Sequence, residues 1–314
     1  MKIYRDYPFQ ISNQPRAVAL GFFDGVHLGH QRLIKEMIAI SQVRNLIPTV
    51  FTFGDHPHSN FNNSFKFSGL ILKSEGRLAR IAELNVRETI LAPMINQVKM
   101  ISASDFFHEY LVNKFGMQAL IVGKDARFGY GGQGNVELLV QWSRETGTDL
   151  LIVGDVKLGD CRISSTLIRE LIEQGNIKQA NRCLGYEYRI QGEVVHGKKL
   201  GRTLGFPTLN IIFDADLVKP RFGVYASQVK FENKTLSAIT SIGTNPTVSN
   251  DDQIKVETYI YDKNIDLYNK EVTVVLLDFV RDEMIFKSVD MMKKRILFDL
   301  DLVKKMHEQD NFKK

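Results

Sequence analysis

Along the first half of the chain, short apolar runs alternate with stretches whose apolar residues recur every three or four positions. Ala17-Val18-Ala19-Leu20, Ile47 to Phe53, Glu88 to Leu91, Ala119 to Val122 and Leu150 to Val153 are each short and apolar and read as buried strands. After the first comes a glycine-punctuated turn, then a predicted helix with Leu33, Ile34, Met37 and Ile38 on one face. Strands that alternate with helices predict a parallel sheet covered on both faces. The stretch Phe61 to Leu72, rich in Asn, Ser and Phe, is predicted to be an exposed loop.

Near residue 184 the period changes. Tyr188, Ile190, Gly192 and Val194 alternate with Arg189, Gln191, Glu193 and Val195, which is the two-residue repeat of a strand. Strand-like runs follow at Val224 to Val229, Leu236 to Ile242, Lys255 to Tyr261 and Val272 to Val280, separated by turn residues and without intervening helices. That pattern predicts a small antiparallel barrel. A last helix is predicted from about Lys287 to Met306, with Val289, Met292, Ile296, Leu297 and Leu300 as its apolar stripe. The expected architecture is an α/β parallel-sheet domain over residues 1–184 and a barrel with a C-terminal helix over residues 185–314.

Composition narrows the class. With 44% hydrophobic and 25% charged residues, the chain has the make-up of a folded globular protein. No run reaches the roughly 18 to 20 apolar residues needed to cross a bilayer. The N-terminus Met1-Lys2-Ile3-Tyr4-Arg5-Asp6 lacks the features of a signal peptide. Cys161 and Cys183 have neither metal nor redox spacing. These features lead us to expect a cytoplasmic enzyme. The net charge of +5 suits a polyanionic partner such as ATP, a flavin phosphate or nucleic acid, and equally suits a merely basic, solvated surface.

Two constellations carry chemistry. Gly21-Phe22-Phe23-Asp24-Gly25-Val26-His27-Leu28-Gly29-His30 lies between the first strand and the first helix. Loops at strand carboxyl ends are where open parallel sheets bind ligands, and a helix N-terminus there favours phosphate. His27 and His30, three residues apart, can face one anion and stabilise charge on a departing pyrophosphate. Zinc is the rival reading, but no third ligand stands nearby. Ile163-Ser164-Ser165-Thr166-Leu167-Ile168-Arg169 opens another helix, where serine also serves as an ordinary N-cap. The second constellation runs from Gly192 to Asn210 and includes Gly197-Lys198-Lys199-Leu200-Gly201-Arg202-Thr203-Leu204-Gly205-Phe206-Pro207-Thr208. Such a loop is compatible with a surface turn or a phosphate cradle, and its spacing is not that of a P-loop. Glu257 lies in a strand on the side opposite Val256, Thr258 and Ile260, with Tyr259 and Tyr261.

The stretch Gly21 to His30 resembles the nucleotide-binding motif of the nucleotidyltransferase superfamily. In particular, it is similar to bacterial bifunctional riboflavin kinase/FAD synthetases, whose riboflavin-kinase signature G-R-x-L-G-F-P-T-x-N is matched by Gly201 to Asn210. The resemblance covers essentially the whole chain, in order, with Pro220 to Tyr225, Ser241 to Thr247 and Val256-Glu257-Thr258 also matching. It implies a nucleotidyltransferase-type first domain that adenylylates FMN to FAD, followed by a riboflavin-kinase barrel. ATP, riboflavin and FMN are the implied partners, flavins both substrate and product, and Mg²⁺ the cofactor. A membrane partner is not expected, nor is nucleic acid.

For adenylyl transfer the resemblance assigns ATP to Phe23, Asp24, Gly25, His27, His30, Asp125, Ser164, Ser165, Thr166 and Arg169, with the two histidines catalytic. For the kinase it assigns ATP and flavin to Gly201, Arg202, Gly205, Phe206, Pro207, Thr208, Asn210 and Arg281. Thr208 and Asn210 hold the metal, and Glu257 is the general base. Three departures stand out: Phe53-Gly54-Asp55-His56-Pro57 for F-[DE]-P-H-P, Ala126 for a phenylalanine, and Gly132 for an arginine. The last two bear on the acceptor side of adenylyl transfer. They keep open a single-activity kinase as well as a flavin- or nucleic-acid-binding regulator.

Overall fold

The structure is a computed structural model that describes residues 1–54, 67–197, 201, 205–244, 253–261, 263 and 265–311. It forms two compact units, Met1–Ser165 and Thr166–Lys314.

In the first unit, β1 (Lys2–Tyr4), β2 (Arg16–Leu20), β3 (Ile47–Phe53), β4 (Glu88–Ala92), β5 (Met117–Gly123) and β6 (Asp149–Val153) build one sheet in the order β1-β4-β3-β2-β5-β6. Every neighbouring pair is parallel. The apolar runs are continuous because both faces are buried. Val18, Leu20 and Phe51 pack into one core, while Ala17, Ala19 and Val50 pack into another on the opposite face. Helix α1 (Leu28–Arg44) covers the second core with Leu33, Ile34 and Met37. The other helices are α2 (Ser74–Glu83), α3 (Asn96–Lys99), α4 (Ala103–Asp105), which runs into a π-helical turn Phe106–Lys114, and α5 (Val136–Thr146). A hairpin of β7 (Lys157–Leu158) and β8 (Cys161–Arg162) ends the unit.

Strand β2 has β3 on one side and β5 on the other, so the chain order reverses about it. The histidine-bearing loop leaves its carboxyl end at that switch, where such sheets bind ligands. The loop expected at Phe61 to Leu72 needs correction at its far end. Residues 61–66 lie outside the described residues, but Ile71 and Leu72 are buried and their backbone N–H groups bond to Asp24.

The second unit opens with α6 (Ser165–Glu173), whose first residue closes the first unit, and α7 (Ile177–Leu184). The compact unit thus begins two helices before the change of period at residue 184. The side chain of Asn181 on α7 accepts from the Tyr188 N–H (2.7 Å) and donates to the Leu276 carbonyl (3.0 Å). Lys178 pairs with Asp278 at 2.7 Å. These bonds dock α7 on the barrel.

Strands β9 (Arg189–Glu193), β10 (Thr208–Ile212), β11 (Gly223–Phe231), β12 (Lys234–Gly243), β13 (Lys255–Ile260) and β14 (Glu271–Asp282) form an antiparallel sheet in the order β10-β13-β12-β11-β14-β9. The Val195 N–H donates to the Asn210 carbonyl at 2.8 Å, which brings the end of β9 back to β10 and nearly closes the barrel. On the inner face, Ser227, Thr240 and Thr258 form a buried hydroxyl ladder with steps of 2.7 and 2.9 Å. Each hydroxyl satisfies the next, so this polar row costs little to bury.

Helix α8 (Val289–Asn311) covers part of the outer face, with Leu300, Val303 and Met306 against Val224, Ala226, Ile239 and Tyr261. The expected stripe is partly wrong: Val289 and Leu297 are 57% and 50% exposed. The inward positions are Met292, Ile296, Asp299, Leu300, Val303 and His307, because the stripe includes two polar residues that hydrophobicity alone passes over. His307 joins Tyr261 to the Ser227 carbonyl.

A fragment begun at Thr166 should therefore melt higher than one begun at Arg182, which lacks Asn181 and loses its bond to the Tyr188 N–H. Such a loss costs about 1–3 kcal/mol, or several degrees in a unit of this size. Equal melting temperatures by circular dichroism would show that α6 and α7 add nothing to the barrel.

Candidate active sites

In the first unit the site is built on the turn after β2. Phe23 and Gly25 take left-handed backbone conformations with φ of 58° and 74°, which fold the chain tightly over the sheet edge. Gly25 meets that requirement with no steric cost, and a Cβ there would press on Ile71 at 3.0 Å. Asp24 is buried. Its carboxylate accepts from the Ile71 N–H at 3.1 Å and the Leu72 N–H at 3.2 Å, and its carbonyl accepts from the Ser165 hydroxyl at 3.0 Å. Asp24 and Ser165 thus tie the histidine turn to the segment carrying Ser164. Asp24 thereby fixes the shape of the turn.

His27 is the N-cap of α1. Its Nδ1 accepts from the His30 N–H at 3.3 Å, which leaves Nε2 as the protonated nitrogen in the neutral ring. The His27 and His30 rings stack with centroids 3.6 Å apart. Gly29 allows this, since a Cβ there would lie 3.0 Å from the His27 ring. His30 as a whole is half-buried, but its Nδ1 is enclosed, without a hydrogen-bond partner among the described residues. Burial, reinforced by His27 and Arg77, pushes its pKa well below the usual histidine range. The ring is therefore neutral at pH 7, so two close imidazoles do not repel. The ring stands at a helix N-terminus, where free backbone N–H groups favour anions.

The sequence reading missed Arg77. From α2 its guanidinium donates to the carbonyls of Phe22 and Gly54 (3.1 Å each) and to that of Phe53, and it lies 4.3 Å from the Phe22 ring centroid. It clamps the ends of β2 and β3 and adds positive potential beside His30. No motif marks it; only its burial does.

Asp125, at the end of β5, pairs with Arg162, whose Nε also binds Asp155 at 2.9 Å. Ala126 packs at the edge of the core, and Gly132 sits in a short turn with φ of 67°. Ser164 precedes α6, while Thr166 and Arg169 lie in its first turns. Asp55, His56 and Pro57 are outside the described residues.

In the barrel, register does the assembling. Asn210 on β10 lies directly across from Glu257 on β13, and Glu257 lies across from Ser241 on β12. Thr208 faces Tyr259 in the same ladder. Because side chains alternate, Thr208, Asn210, Glu257, Tyr259 and Ser241 share the outer face. Glu257, Ser241, Tyr259 and Arg281 line a cavity of about 240 Å³, walled by apolar Val224 and Ile239 from the barrel and Ile296 from α8. A second cavity, about 400 Å³, lies beyond Thr208 among Val194, Pro207, Leu209, Leu267 and Tyr268. Thr208 belongs to both.

Phe206 packs edge-on against Tyr259, its N–H donates to the Gly201 carbonyl at 2.8 Å, and exposed Gly205 and Pro207 flank it. Arg202 and Asn245 to Thr247 are outside the described residues. Arg281 is bound to Asp299 of α8.

Among the described residues no three His, Cys, Asp or Glu side chains converge as a metal site. Thr208 and Asn210 instead offer neutral oxygens on alternate positions of one strand. The Asn210 amide nests against Gly197, where a Cβ would come within 2.6 Å. A site of few neutral oxygens fits Mg²⁺, which takes its remaining ligands from phosphate and water.

The His30 environment has a measurable consequence. The unfolded chain's imidazole, near 6.5, protonates before the folded one. Unfolding therefore takes up a proton below about pH 6.5, and stability falls as pH drops there, by at most about 1.4 kcal/mol per pH unit. Thermal melts of the wild type and His30→Gln between pH 7.5 and 5.5 should diverge, the variant losing less. A constant gap would show that His30 binds its proton equally in both states.

The first unit matches the FAD synthetase family model over residues 9–167, and the barrel matches the riboflavin kinase model over residues 184–307. A relative from Buchnera aphidicola subsp. Acyrthosiphon pisum, named bifunctional riboflavin kinase/FMN adenylyltransferase, is 33% identical over 97% of this chain and 98% of its own. Proteins of the same name from Listeria monocytogenes and Escherichia coli K12 are each 34% identical, over 88% and 90% of this chain and 87% and 90% of theirs. A crystal structure from Streptococcus pneumoniae, described as a macrolide-efflux protein, superposes with a TM-score of 0.86 at 29% identity, covering 97% of this chain and 99% of that one. Among the described residues of the present chain, no helix is long and apolar enough to cross a membrane. With both family models matched in order and full-length relatives above 30% identity, the chain belongs to the bifunctional riboflavin kinase/FMN adenylyltransferase family.

Proposed function

We propose that this riboflavin kinase and FMN adenylyltransferase runs its kinase step on the outer face of the barrel, with Glu257 as general base. The observation that carries this reading is the row Asn210–Glu257–Ser241 across three strands, opening on a cavity with apolar walls. The smaller cavity suits the isoalloxazine ring, with its long apolar faces. The larger one beyond Thr208 suits the adenosine of ATP, and Thr208 between them stands where the phosphates must lie. The 5′-oxygen of the ribityl chain attacks the γ-phosphorus, the bond to the β-phosphate oxygen breaks, and Glu257 takes the hydroxyl proton. Thr208 Oγ1 and Asn210 Oδ1 would hold Mg²⁺, which supplies charge neutralisation on the phosphates when bound.

The second step belongs to the parallel-sheet unit. A phosphate oxygen of FMN attacks the α-phosphorus of ATP, and pyrophosphate leaves. The N-terminus of α1, the Nε2–H of His27 and the enclosed His30 lie together where negative charge would gather. Ser164 and Ser165 add donors at the end of this unit, and the family resemblance also gives Thr166 and Arg169 to the ATP site. Asp24 and Arg77 shape the turn, and positioning with charge stabilisation accounts for the chemistry without a covalent intermediate. The functional boundary lies near residue 184, with α6 and α7 tied structurally to the barrel.

Glu257→Gln should cut FMN formation by roughly 10² to 10⁴-fold while leaving riboflavin affinity nearly unchanged. Near-normal turnover of this variant, with product identified by chromatography, would remove Glu257 as the base. His30→Ala should lower FAD formation by about 10²-fold or more. In the wild type, Ala126 and Gly132 should show as a raised KM for FMN, with that for ATP less affected. Steady-state kinetics that return a low FMN KM would mean other side chains hold the acceptor.

A further inference from the structure

Helix α8 contributes a charge to the smaller cavity that no motif suggested. Asp299, only 1% exposed, sits among Met292, Ile296, Leu300 and Val303 on the inward face of the helix. Its two oxygens are divided between two arginines: Oδ2 accepts from Arg281 Nε at 2.7 Å, and Oδ1 from Arg295 Nε at 2.8 Å. A buried carboxylate between two guanidiniums is expensive to place by chance, because each ion loses its hydration. The pairs lie at a cavity wall, and both Arg281 and Asp299 line the cavity.

Arg281 is itself constrained at two of its three nitrogens. Nε goes to Asp299 and Nη1 donates to the Asp282 carbonyl at 2.8 Å, while Nη2 has no hydrogen-bond partner among the described residues. The guanidinium also lies 6.0 Å from the Phe286 ring centroid. A planar fork held at two points has little freedom left, so its third nitrogen is preorganised as a donor. Phe206, Val224, Ile239, Phe286, Met292 and Ile296 give the same cavity an apolar wall. A flavin is the kind of ligand this arrangement fits, since it combines a flat aromatic body with carbonyl oxygens along one edge.

We propose that Asp299 is a positioning residue for riboflavin: from α8 it holds Arg281 so that Nη2 donates to a carbonyl oxygen of the bound flavin. The inference rests on the reading of this cavity as the flavin site. It assigns α8 a part in substrate recognition beyond covering the barrel. Arg295, half out in solvent at 32% side-chain exposure, balances the second carboxylate oxygen.

The test is a double-mutant cycle on the full chain with Asp299→Asn, Arg281→Gln and both together, reading kcat and the KM for riboflavin and for ATP. Flavin binding is followed in parallel by quenching of riboflavin fluorescence. Either single change should raise the riboflavin KM and dissociation constant roughly tenfold or more, as loss of a hydrogen bond to a charged group does. The ATP KM should move less than about twofold and kcat less than about threefold. The double variant should be no worse than Arg281→Gln alone, because Asp299 acts through Arg281. Asp299→Glu, which keeps the charge and displaces it by one methylene, should fall between wild type and Asp299→Asn. If Asp299→Asn does not fold, the Glu variant carries the test. An unchanged riboflavin KM there overturns the proposal, as do multiplicative effects in the double variant or equal shifts in both KM values. Failure of the underlying site reading would look different: Glu257→Gln would keep its turnover, whatever the Asp299 variants did.

Discussion

The kinase half depends on one constraint, the pairing register of β10, β13 and β12. Asn210, Glu257 and Ser241 stand in a row because this register sets each directly across from the next. A one-residue slip of β13 would turn Glu257 into the barrel and bring Val256 or Thr258 out. The inner face guards against that slip. Thr258 and Thr240 are linked by hydroxyl bonds that exist only in this register, and Val256 is fully buried. The same alternation that fills the barrel therefore delivers Glu257, the proposed base, to the outer face, so that packing and the proposed catalysis are two sides of one ladder.

What sits on that outer face decides the environment of Glu257. Helix α8 and the segment before it turn an exposed sheet surface into a cavity with apolar walls. The helix is held by Leu300 and Val303 and by two polar anchors, the His307 bridge and the Asp299 ion pairs. Such anchors fix orientation in a way that apolar contact alone does not, since they are satisfied at one rotation of the helix only. The site and the helix that roofs it are thus specified together.

The parallel-sheet unit reaches comparable definition by a different route. There the backbone shapes the candidate site: a left-handed turn after β2, held by the buried Asp24 and by Arg77, brings a helix N-terminus and two stacked imidazoles to one place. Keeping His30 neutral lets the pair lie close without repulsion, and a bound polyanion would favour its protonation.

The sequence by itself determined the two fold classes, because buried strands on a two-faced sheet must be continuously apolar and barrel strands must alternate. It also determined where both constellations lie, since glycines at a tight turn and Pro-Thr-x-Asn before a strand are local requirements. Glu257 could be placed on the non-core face by parity alone. Tertiary structure decided the rest. Tyr261, assigned by parity to the same side as Glu257, is buried under α8, a partner that no local pattern announces. Spacing also gave no hint that the Asp24 carboxylate lies on the N–H groups of Ile71 and Leu72, distant in the chain. Arg77 and Asp299 look like ordinary surface charges on amphipathic helices. Their roles come from burial and from partners that chain folding brings to them, and a charge's environment is a property of the fold that sequence spacing does not encode.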